Sequence, residues 1–202
     1  MIVIQYISKI IFGGDFLKNK IIMLACFALC ACFLLASCAP KISVLEDYCF
    51  AVARFDLEKA AECTVSGDAE KYFETVLELS QSLTEEQRGI AKELFSQMKF
   101  TDFAEGDGFY TVTVKYIDFS ALIKSVNDSL AVGTGTASDY LREIIDSGRI
   151  QNQFLKTEQS VKVVLAEADG KAKLPLGYSG ENARFTALVG LDTFLRWYST
   201  KR

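Results

Sequence analysis

Not one of the 202 residues is a histidine. That absence removes Ser-His-Asp triads, His-carboxylate dyads and every metal site that relies on imidazole. A basic surplus is missing too: 22 Lys and Arg stand against 26 Asp and Glu, a net charge of −4, so there is no basic face for nucleic acid. Nor is there a phosphate loop, because Gly133-Thr134-Gly135 lacks the Gly-Lys-Ser/Thr ending and follows no strand. Asp139, Glu143 and Asp146 share helical spacing with an interleaved Arg142, which reads as a solvated helix face rather than a metal cluster. Neither a metal nor a cofactor is expected.

One stretch lacks charge altogether. From Ile21 to Ser37 every residue is neutral, Lys18 and Lys20 precede it, and Leu35-Ala36-Ser37-Cys38 closes it with small residues ahead of a cysteine. This order is that of a secretory signal. A membrane span needs about 20 apolar residues, a length the run to Pro40 just reaches, but the basic flank and the small-residue end are features of a signal. The ending resembles the lipobox of bacterial lipoproteins. That resemblance implies a lipid on the Cys38 thiol, cleavage just before it, and a chain held at the extracytoplasmic face of the cell membrane. Residues 1–16 add an apolar patch and Asp15 where basic residues belong. Initiation at Leu17 would give a signal of ordinary length, so 1–16 reads as a misplaced start within a signal peptide of 1–37.

Residues 38–41 are then the lipidated cysteine and a short tether, reaching on the order of 10 Å when extended. The rest, 42–202, is long enough for one domain that buries roughly 70% of its unfolded surface. From Cys38 onward there are 19 basic and 25 acidic residues, a net charge of −6, so an anionic membrane surface would repel the protein and the lipid would have to hold it.

Helices lead. Ser43 to Glu46 has the form of a capping box with Ile42 as staple, and Leu45, Tyr48, Val52 and Phe55 recur at helical spacing. Asp56 caps a second helix, "LEKAAECT", ended by Gly67; a third covers 69–81; Thr84 to Gln87 is another capping box. The period then changes to two. Phe100 to Ala104 and Phe109 to Ile117 form strands joined by Glu105-Gly106-Asp107-Gly108. Asp118 caps a helix broken at Gly133, helical pattern continues over 139–156, and "SVKVVLAEA" and "KAKLPL" make a second strand pair turning at Asp169-Gly170. A closing helix starts near Glu181.

The bent helix pair at "VARFDLEKA", the strand running into a capped helix at "TVTVKYIDFSALI", a helical insertion and "SVKVVLAEADGKAKLP" together resemble uncharacterised lipoproteins of low-GC Gram-positive bacteria. Those are similar to the nuclear transport factor 2-like fold. The resemblance implies an α+β fold: helices packed on a curled, mainly antiparallel sheet that forms a cone, with a helical insertion between the strand pairs. The pattern usually carries a tryptophan close to where Lys173 stands, and this chain departs from it there.

Two functions follow as expectations. The first is a non-enzymatic, lipid-anchored module that binds a small apolar ligand or an envelope protein. The second, implied by enzymes of that superfold, is a small isomerase or cyclase using a carboxylate with tyrosine donors; Asp102 with Tyr110 or Tyr116 is its candidate set, because adjacent strands could aim them into one cavity. Cys49 and Cys63 lie on successive helices about the bend at 54–56, as either a disulfide or two buried thiols.

Overall fold

A computed structural model describes residues 41–65 and 68–201, with side chains omitted for 68–70. The signal peptide, the start at 17, Cys38, the rest of the tether and Gly67 therefore lie outside the described residues.

The first helix, α1, Ile42–Ala53, turns an apolar stripe onto the core and buries Leu45, Tyr48, Cys49, Ala51 and Val52. It starts one residue ahead of Ser43, with Lys41 at its N-cap and no side-chain cap, so the expected capping box does not form. Phe55 ends it in the left-handed conformation, φ 57°. Its N–H bonds to Val52 O at 2.9 Å and that of Asp56 to Ala51 O at 2.9 Å, the paired bonds of a Schellman end. A non-glycine residue is strained there; the Phe55 ring packs on Phe95 at 5.4 Å and offsets that cost. Asp56 then caps α2, Leu57–Glu62, accepting from Lys59 N. Helix α3, Asp68–Gln81, follows, and α4, Glu85–Phe95, opens with the full reciprocal capping box of Thr84 and Gln87.

The sheet has three antiparallel strands in sequence order: β1 Lys99–Glu105, β2 Tyr110–Ile117 and β3 Leu155–Val163. Phe100, Val112, Val114, Val161 and Val163 are buried on one face, covered by α1 and by α7, Ala183–Val189. The register slips once on each side of β2, between Thr101 and Ala104 and between Val112 and Val114. Asp102 (φ 54°) and Ser160 (φ 53°) stand at these two bulges, the positions where one strand carries an extra residue.

The class is α+β, as expected. The sheet, however, is open and not curled, because the expected second strand pair splits: Ser160–Val163 join the sheet as the end of β3, and the rest does not. β3 begins at Leu155, inside the stretch read as helix, and pairs with β2; only Ala166–Ala168 (β4) and Lys171–Lys173 (β5) form a separate two-stranded ribbon. The helical insertion is α5, Phe119–Val132, capped by Asp118, then α6, Ala137–Asp146, and a π-helical turn at Ile150–Phe154.

The closing helix is also two. Gly190, at φ +62°, separates α7 from α8, Leu191–Ser199, and a Cβ there would stand 2.7 Å from the Phe119 ring. That close approach fits Phe119 between Phe95 (5.2 Å) and Phe194 (5.1 Å). These rings are buried, and each such side chain contributes roughly 1.5–3 kcal/mol by leaving water. Buried Gln87 donates to the carbonyls of Tyr198 (3.2 Å) and Lys201 (3.0 Å), fastening the end of α8 to α4. Residues from Lys41 onward form one compact unit, and no helix among the described residues is long and apolar enough to cross a membrane.

Candidate functional site

The loop after β5 is held firmly at its stems and loosely at its tip. Leu174 N–H donates to Cys63 O at 2.8 Å and Val65 N–H to Leu174 O at 3.3 Å, so the segment is stitched beside the chain that leaves α2. Leu174 and Leu176 are buried. At the other stem Asn182, also buried, spends its whole amide on backbone: Oδ1 accepts from Val164 N (2.8 Å), and Nδ2 donates to Val164 O (2.8 Å) and Pro175 O (2.9 Å). Between these anchors Tyr178, Ser179, Gly180 and Glu181 are exposed.

From that tip Tyr178 reaches back. Its hydroxyl donates to Asp192 Oδ2, and, although the residue is 65% exposed, its ring meets the buried Tyr72 edge to face at 5.6 Å. Asp192 is buried in the first turn of α8 and also receives Arg196 Nε at 3.5 Å, one turn on. Partial burial, then the bond to Asp192, pushes the Tyr178 phenol above its ordinary pKa. Burial does the same to Tyr72, with the charges of Asp192 and Tyr178 adding to it. The Tyr72 hydroxyl has no hydrogen-bond partner among the described residues.

Two cavities flank this cluster, and Tyr178 lines both. The larger, about 680 Å³, has an apolar floor of Val65, Val164 and Leu176, with Tyr72, Lys71 and Arg196 at its walls. The smaller, about 390 Å³, lies where β2 runs into α5, and includes Tyr116, Asp118, Gly190 and Asp192. The first is within the size range of sites for small organic ligands, and its apolar and aromatic surface beside Lys71, Thr75, Glu181 and Arg196 suits an amphipathic one.

The expected set is not brought together. Asp102 is exposed at its bulge, accepting from Thr101 Oγ1 at 3.0 Å, and lines neither cavity. Tyr110 is buried under the sheet with its hydroxyl 3.5 Å from Glu105; burial and Glu105 raise its pKa. Only Tyr116 reaches a cavity, the smaller one. The bulge explains the failure: the extra residue in β1 takes Asp102 out of the alternation that was to aim it inward. Cys49 and Cys63 are free thiols, the former buried and the latter bonded to Lys59 O at 3.5 Å. Lys173 donates its amine to Glu62 O and lines neither cavity.

No protein-family model matches the chain, and no match to it was found among curated proteins or solved structures. The functional reading therefore rests on the chain's own residues.

Proposed function

We propose that this protein is a lipid-anchored, extracytoplasmic binding module that takes a small amphipathic ligand without transforming it. The observation that carries the binding reading is the larger cleft, with its aromatic walls, apolar floor and unpaired Tyr72 hydroxyl. The anchor is supported by the order of residues 18–38: two lysines, an uncharged run, then Leu-Ala-Ser-Cys. The likeness to the nuclear transport factor 2-like cone is supported by element order, a bent helix pair, a hairpin, a helical insertion and a further strand before the closing helices.

The enzyme reading has one observation in its favour: Tyr178 and Asp192 form a phenol-carboxylate pair beside Tyr116 at the smaller cavity. As a base, however, Asp192 is engaged by both Tyr178 and Arg196, so a substrate proton would have to compete for it.

A nuclear magnetic resonance screen of small aromatic and aliphatic fragments tests binding. Perturbed amides clustered at Lys71, Val164 and Asn182 are expected. Fragments that perturb only residues elsewhere, or none at all, would contradict the assignment.

A further inference from the structure

Tyr178 is held in a way that describes a ligand. The residue is mostly exposed, yet its hydroxyl enters the domain and donates to the buried Asp192. Among the described residues its only close aromatic contact is with Tyr72, edge to face. Loop burial does not explain this posture, because the tip residues beside it are exposed. The stems do not force it either: they are fixed at Leu176 and Asn182 by burial and by three backbone bonds, and Gly180, at φ +86°, gives the tip a conformation other residues rarely reach.

The second observation is independent of the loop. Tyr72 is 4% exposed, lines the larger cleft, and has a hydroxyl with no partner among the described residues. An unmet buried donor costs free energy, and a group that accepts from it recovers that cost. Asp192, beside it, presents a carboxyl oxygen that accepts from the Tyr178 hydroxyl. A hydroxyl accepts and donates through one and the same atom, which fits a donor and an acceptor that converge on one point.

We infer that Tyr178 occupies a phenol subsite built by Tyr72, Asp192 and Arg196, and that the module's ligand is a hydroxylated aromatic compound whose ring takes Tyr178's place. This rests on the cleft being a binding site. The ligand hydroxyl accepts from Tyr72 and donates to Asp192, the ring meets Tyr72 edge-on, and the rest of the molecule lies over Val164 and Leu176. Because Tyr178 lines both cavities, its displacement enlarges each of them. Tyr178 is thus a built-in competitor: it keeps Asp192 supplied with a donor while the site is empty and sets the threshold a ligand must exceed.

The test uses p-cresol, with toluene as the probe lacking the hydroxyl, and follows resonance shifts in the full chain. The Tyr178→Ala variant frees the subsite and keeps Arg196 beside Asp192. It should bind p-cresol at least tenfold more tightly than the wild type, and toluene at least tenfold more weakly than p-cresol. Adding Tyr72→Phe should weaken p-cresol again. In the wild type, saturating p-cresol should move the Tyr178 ring resonances, a reading that needs no variant to fold. Equal affinities for p-cresol and toluene, or no gain on removing Tyr178, would overturn the phenol subsite. Once the phenol subsite is overturned in that way, shifts at Val164 and Asn182 from other fragments confine the loss to the ligand class; if nothing perturbs them, the binding reading falls as well.

Discussion

Tyr48 and Tyr72 are buried phenols whose hydroxyls have no partner among the described residues, and burial raises the pKa of both above the ordinary value of 10.0. In the unfolded chain they ionise near pH 10, whereas folding holds them neutral; above that pH the unfolded state has lost protons that the native state keeps, and stability falls as pH rises. An unfolding series should therefore be flat with respect to these groups below pH 10 and decline above it. Tyr48→Phe removes an unpaired hydroxyl and leaves the ring contacts with Phe73 and Phe185. Its stability at pH 7 should be unchanged or higher by up to about 2 kcal/mol, with a shallower alkaline decline; a loss exceeding about 1 kcal/mol would mean that the hydroxyl has a partner. The two thiols make a further prediction. Cys49 is buried with its pKa raised well above 9.0, and Cys63 is raised less, by burial first. Since thiolate is the reactive form, site-resolved alkylation at pH 8 should leave Cys49 unmodified until denaturant is added. Rapid native labelling there would contradict its burial.

At the scale of elements, Gly190 is the position where α7 and α8 depend on the absence of a side chain. Gly190→Ala combines a left-handed backbone with a Cβ in the Phe119 ring and should cost on the order of 2–4 kcal/mol, measured by denaturant unfolding. Thr136, which forms a reciprocal capping box with Asp139 at the start of α6, should cost about 1 kcal/mol as alanine. Where local chemistry decides, the sequence was readable: the Thr84 box, the Asp56 and Asp118 caps and the hairpin at 105–108 all depend on residues a few positions apart. Where a distant partner decides, it was not. "LKTEQS" has no strand alternation, and β3 forms there because β2 offers it a ladder. The Ser43 box was overridden by a helix that begins earlier. The Tyr72, Tyr178 and Asp192 cluster comes from three separate segments, so no local spacing announces it; the one available signal was an aromatic standing between glycines at 177–180 in a turn-like stretch.

For the whole molecule, net charge and address argue together. The part from Cys38 onward is acidic, with a net charge of −6, so a lipid on Cys38 is the element of the account that would keep the binding cleft at the membrane surface. Cys38→Ser should leave the full-length precursor uncleaved and unlipidated. Most direct is the intact mass of the protein recovered from the membrane fraction of its native host. A chain beginning at Cys38 with added acyl mass is expected. An unmodified chain that retains residues 1–37 would contradict it.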